Sequence, residues 1–345
     1  MKKYVILLII YFYSCDINVT PTGNNTQNDN FAIYFLSDTT LTINDIKEIP
    51  LNKLKLQKKP WLSEDDIEYY DWSSHCIYLK KSKTLYFPNL IDNFEIPYYL
   101  NNKPYIITAN NEAIYKGYMI SNLYFNSHPP LFPLISETEV CLYPNDIFTT
   151  DWPFIFQEDI RNNNKVKNAL IESNKFHSGV RVEIDTNYGI ELIEKNDTTT
   201  IKYQIVIINT DKDNLYIFDP AKAGNLIFNS FNNGPCFKNL DNNILYSANF
   251  KSHYVPDSSE YKLDLWYTLV KSGDSIKREI EIDGYPKMPS GDYIFRGSYS
   301  TPFMYLDKTK RIKSNGRIWI GSTRTRVWGV VIDENNDYLE AKIFN

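Results

Sequence analysis

Hydrophobic positions are patterned differently in the two halves of the chain. From Val180 onward they alternate with polar ones. Val180, Val182 and Ile184 are separated by Arg181 and Glu183, and Ile201, Tyr203, Ile205 and Ile207 repeat the spacing. Tyr261, Leu263, Leu265, Tyr267 and Leu269 form the cleanest such run. Period-two alternation marks strands with one buried face. Further strands are expected at Leu215 to Phe218, across Ile276, Ile280 and Ile282, at Tyr293 to Tyr299, at Arg317 to Ile320 and at Arg326 to Ile332. Turn chemistry separates them at 209–214, at Asp219-Pro220, at 271–274 and at 289–292. Many short strands with turns between them predict an antiparallel β-sandwich over residues 176–345. The stretch 221–260 interrupts the series and reads as a long insertion and a variable contact surface, carrying Cys236 and His253.

The first half is less regular. Phe31 to Leu36 is a strand-like apolar run. Thr42, with Asp45 three residues on, predicts a capped helical turn that Pro50 ends. Leu51 to Leu56 alternates weakly, Ile67 to Trp72 follows an acidic capped turn at 63–66, and Cys76 to Lys80 reads as a strand. Tyr105 to Ala109 and Ala113 to Met119 flank Asn110-Asn111-Glu112, a hairpin signal because Asn tolerates positive φ. Residues 31–160 are therefore expected as a small α+β domain. Asp151 to Phe156 is an apolar connector, and 161–175 is a connecting helix with Val166, Ala169 and Leu170 on one face. The fold class expected is mixed and β-rich.

At the start, Met1-Lys2-Lys3 precedes a continuous apolar run from Tyr4 to Tyr13. About ten helical residues cover only about half of a bilayer core, so the run suits the h-region of a signal peptide, residues 1–14. Residues 15–30 are polar and aperiodic, as a disordered tether would be.

Composition narrows the function. The chain has 345 residues, 43% hydrophobic and 23% charged, with a formal net charge of -5. That balance disfavours nucleic-acid binding, which needs a concentrated positive field. Four cysteines are present. With Cys15 assigned to the N-terminal signal, Cys76, Cys141 and Cys236 allow at most one intrachain disulfide. No CxxC or HExxH spacing occurs, so no metal site and no cofactor are expected. His75, His128, His177 and His253 read as isolated structural or surface residues, and His75 with its strand neighbour Cys76 makes a poor base–nucleophile pair. Glu64, Asp65 and Asp66 with Asp71 offer paired carboxylates for acid–base work or Ca²⁺, but without the DxDxDG spacing they read as a solvated helix start. The aromatic series that includes Trp61, Tyr69, Tyr70, Trp72 and Tyr78 suits either a sugar platform or half-buried strands. The basic cluster of Lys308, Lys310, Arg311, Lys313, Arg317, Arg324 and Arg326 reads as a solvated face protecting a sheet edge.

Two resemblances follow. The h-region ending in Ser14-Cys15 resembles the relaxed lipobox of Bacteroidetes-like bacterial lipoproteins, although Phe12 and Tyr13 depart from its usual Leu and small residue. It implies cleavage before Cys15 and lipid attachment there. Three triplets, beginning at Asp38, Asp197 and Asp274, are similar to the O-glycosylation triplet of exported proteins in that phylum. IKYQIVIINTDKDNLYIFDP, PSGDYIFRGSY and GRIWIGSTRTRVWGVVI resemble the strands of bacterial immunoglobulin-like domains, which implies a fold and no activity. The expectation is a lipid-anchored protein of the bacterial cell envelope, at the outer membrane rather than the inner. It would act as a non-catalytic binding or assembly module with a protein or glycan ligand. The alternatives are a glycan-active enzyme using scattered carboxylates and a protease-inhibitor-like sandwich.

Overall fold

The computed structural model describes residues 29–80, 103–118, 135–136, 139–142, 159–195, 197–232, 234–248, 263–302, 311–324, 328–332 and 338–342. The expected signal peptide, Cys15, most of the tether, the connector at 151–156, His128 and His253 lie outside them. The fold is β-rich and mixed, with several antiparallel sheets and few helices. Among the described residues no helix is long and apolar enough to cross a membrane.

The largest sheet is built on Thr198–Asn209, whose alternating apolar side chains are buried. Val180–Ile184 and Ile190–Lys195 pair antiparallel with successive parts of it. Ser275–Pro286 pairs along nearly its whole length. The sheet continues through Tyr338–Lys342, Trp328–Ile332, Gly291–Arg296, Cys236–Asn239 and Leu245–Tyr246. Much of the expected insertion at 221–260 is therefore structural. Phe237 is fully buried opposite Phe295, and Phe228, on the helix Asn225–Asn232, packs into the same core. The run beginning at Tyr261 also differs from expectation. Leu263–Trp266 is a helical turn, and only Tyr267–Val270 is strand. Trp266 is buried beside Phe218 while Leu265 is exposed, a division that alternation alone does not distinguish. Leu51–Lys53 is a short 3-10 turn rather than strand.

In the first half, Leu62–Ser63, Phe31–Phe35, Pro104–Ala109 and Glu112–Tyr118 form an antiparallel sheet. Asn110 and Asn111 turn its hairpin with φ of 49° and 64°. The helix Asn164–Glu172 buries Val166, Ala169 and Leu170 in the same core as Phe31 and Ile33. The segment expected as a connector thus packs into the first core.

A third sheet separates the two cores. Ile67–Asp71 pairs antiparallel with Cys76–Leu79, and Phe176–His177 joins it in parallel. Successive strand side chains point to opposite faces. Tyr70, Ile77 and Leu79 accordingly enter the first core and Tyr69, Cys76 and Tyr78 the second, while a register irregularity between Ile67 and Tyr69 places Ile67 in the first core as well. Burial on both faces explains the unbroken apolar run of Cys76–Leu79. Tyr78 also donates a 2.7 Å hydrogen bond to the Ile320 carbonyl. Cys76 is disulfide-bonded, the ladder places it opposite Cys141, and Cys236 is free.

Candidate functional site

Polar residues from four segments meet where this dividing sheet ends. Asp71 closes its strand, and its carboxylate is fully buried. Asp71 Oδ1 accepts from Ser73 Oγ at 2.7 Å and from the Ser74 backbone N–H at 3.1 Å. Trp319, also fully buried, donates from Nε1 to Ser73 Oγ at 3.1 Å. The turn after Thr198–Asn209 contributes Asp211 and Asp213. It is shaped by Asn209, whose side-chain oxygen accepts from Asp211 N–H and whose amide donates to the Asp213 and Val270 carbonyls. His177 arrives from the strand beside Asp71.

Arg317 joins these groups. Its Nη2 donates to Asp211 Oδ2 at 2.8 Å and lies 3.5 Å from Asp71 Oδ2. Its Nε is 3.5 Å from Asp213 Oδ2. The guanidinium also stacks on the Tyr69 ring, 4.7 Å from its centroid. His177 Nδ1 is 3.0 Å from Asp211 Oδ1 and 3.5 Å from Asp213 Oδ2. Asp71, Asp211 and Arg317 are buried, whereas the Asp213 side chain is 43% exposed and opens the cluster to solvent. Burial alone pushes the Asp211 carboxyl up. The His177 hydrogen bond, the Arg317 charge and the backbone N–H groups of Asp213 and Gly179 outweigh it and hold the group far below the usual carboxylate range.

Gly179 is required where the segments approach. It has φ of +72°, and a Cβ there would lie 2.1 Å from Ser73 Oγ and 2.6 Å from Asp71 Oδ1. Gly179→Ala is expected to cost about 2 kcal/mol or more, from the left-handed backbone together with this clash. A urea-unfolding midpoint checks it.

Acid should loosen the fold at two paired carboxylates. Asp211 is depressed, and Asp159 is lowered to about 2 because its Arg161 partner outweighs burial. A depressed carboxylate contributes its full stability above its unfolded pKa of about 3.9, and that contribution is lost as pH falls through the folded value. Stability is expected to drop from about pH 4 towards pH 2 as these carboxylates take up protons. Thermal melts across that range measure it.

The cluster has the oriented His–Asp pair that a nucleophilic site uses. Among the described residues no hydroxyl or thiol hydrogen-bonds His177 Nε2, and Ser178 Oγ donates instead to the Thr210 carbonyl. His75 is likewise engaged, with Nδ1 3.0 Å from the Tyr70 hydroxyl. Comparison with known families, curated proteins and solved structures finds no match.

Several expectations are corrected by these contacts. The acidic run is a turn between strands rather than a solvated helix start. Asp66 is buried and accepts from Ser63 N–H at 3.0 Å, while Glu64 accepts from Asn30 N–H at 3.1 Å. Arg311 and Arg317, expected on a solvated basic face, are both buried, and Arg311 pairs with Glu68. Tyr69, Tyr70 and Tyr78 are core residues and offer no sugar platform. The cluster itself escapes sequence reading because Asp71 and Arg317 are 246 positions apart.

A second feature is open to ligands. A cleft of about 390 Å³ lies beside strand Phe31–Phe35, floored by Phe35, Leu36, Leu41 and Pro104 and rimmed by Asp38 and Lys103. Its volume falls in the range of small-ligand pockets.

Proposed function

We propose that this chain is a lipid-anchored protein of the bacterial cell envelope, held through Cys15, that acts as a non-catalytic binding or assembly module. The observation that carries the reading is the disulfide at Cys76. Disulfides persist in oxidising compartments outside the cytosol, which agrees with a signal peptide before Cys15. Two buried acids of the His–Asp–Arg cluster are spent on internal hydrogen bonds that tie distant segments together, an arrangement that favours a rigid scaffold over acid–base chemistry. The cleft beside Phe35 supplies an apolar floor with one acidic and one basic group at its rim, suited to a partner that is part apolar and part polar. A glycan-active enzyme would need two facing carboxylates, and Asp38 is the one carboxylate among the described lining residues of this cleft. The immunoglobulin-like and two-domain readings belong to the same proposal.

Cys15→Ala tests the anchor. The substituted protein is expected to leave the membrane fraction for the soluble one. Retention in the membrane at the level of the unsubstituted protein overturns the lipid anchor.

A further inference from the structure

We infer that His177, Asp211 and Asp213 form a binding site for a first-row divalent metal ion, Zn²⁺ foremost. One donor atom from each of His177, Asp211 and Asp213 lies within 4.8 Å of the other two. The imidazole nitrogen is 3.0 Å and 3.5 Å from the two carboxylate oxygens. Ligand atoms held about 2.0–2.1 Å from a tetrahedral zinc stand about 3.3–3.4 Å from one another, so the donors are already near chelating separation.

The surroundings are those of a metal site. Bound carboxylates are usually oriented by outer hydrogen bonds to the oxygen that does not bind. Asp211 Oδ2 has that support from Gly179 N–H at 2.9 Å and Arg317 Nη2 at 2.8 Å. Charge points the same way. The carboxylates of Asp71, Asp211 and Asp213 face one guanidinium, Arg317, which leaves two negative charges in a largely buried cluster when His177 is neutral. A divalent ion balances that deficit. An independent sign is Arg317 itself. It is about nine-tenths buried, yet its Nε and Nη1 have no hydrogen-bond partner. Nε sits beside Asp213, where a metal-bound water could accept a hydrogen bond from it. The half-exposed Asp213 side chain leaves room for ion entry and for solvent ligands.

The donor set selects the metal. One imidazole with two carboxylates suits Zn²⁺ and its neighbours, whereas Ca²⁺ prefers sites made of six to eight oxygens. Three protein ligands from segments 34 residues apart in sequence would pin the turn at 209–214 to the strand carrying His177. The site would then reinforce the same junction that Arg317 closes.

The test uses the full-length protein, stripped with a chelator and titrated with ZnCl₂ by calorimetry and native mass spectrometry, with CaCl₂ in parallel. The expected result is one Zn²⁺ per chain, a raised melting temperature and no comparable response to Ca²⁺. Asp213→Asn and His177→Gln should each weaken Zn²⁺ at least tenfold. Asp213→Asn, at a half-exposed position, should leave the metal-free melting temperature nearly unchanged, which separates lost binding from lost folding. Absence of stoichiometric Zn²⁺, or equal Zn²⁺ binding by the folded Asp213→Asn protein, overturns the site and leaves the cluster as ion pairs only.

Discussion

Arg317→Ala is expected to destabilise the protein by about 3–5 kcal/mol, the usual cost of removing one partner from a buried ion pair. The loss arises from what is left behind. Asp71 and Asp211 are fully buried, and Arg317 is the guanidinium that faces both. Without it, two carboxylates remain in a low-dielectric junction, where each must be protonated or hydrated at a cost in free energy. Packing is lost as well, because the guanidinium stacks on Tyr69. Arg317→Lys should recover only part of the loss, since an ammonium cannot span Asp71, Asp211 and Asp213 as the planar fork does. Urea denaturation followed by tryptophan fluorescence measures both variants. A loss below about 1 kcal/mol for the alanine variant would mean that the junction relaxes or takes in water, so that the ion pairs contribute little.

Reduction of the disulfide is expected to be the second large loss. Cys236 is free, and the antiparallel ladder puts Cys141 directly opposite Cys76. Closing a loop of about 65 residues restricts the unfolded chain by roughly 4 kcal/mol. Cys76→Ser, or a reducing agent during the melt, should lower stability by approximately that amount. A peptide map under non-reducing conditions should join the peptides carrying Cys76 and Cys141. A reduced protein as stable as the oxidised one would show that the bond adds nothing to the fold. A map in which the peptides stay unlinked would remove the reason for placing the chain in an oxidising compartment.

The strands at Val180–Ile184 and Thr198–Asn209 were legible because one face of each is buried, so polarity alternates with the pleat. The helix face of Val166, Ala169 and Leu170 and the Asn110-Asn111 turn were legible for equally local reasons. What was not legible depends on distant partners. Ile190–Lys195 is too polar to announce a strand, and it exists because Thr198–Asn209 and Tyr338–Lys342 lie on either side. Arg311 and Arg317 have the local pattern of exposed bases, and only the fold brings Glu68, Asp71 and Asp211 to them. His177 gave no signal, because Asp211 and Asp213 reach it through a turn more than thirty residues away. The spacing of two Asp residues in that turn was visible, but it read as turn chemistry alone.

The central claim is export and lipid anchoring through Cys15. An intact-mass and N-terminal peptide measurement on the protein extracted from its native membranes tests it most directly. The account predicts a mature chain that begins at Cys15, carries the added mass of acyl chains on that residue and lacks residues 1–14. A chain that retains residues 1–14, or one that begins elsewhere with an unmodified Cys15, would contradict it.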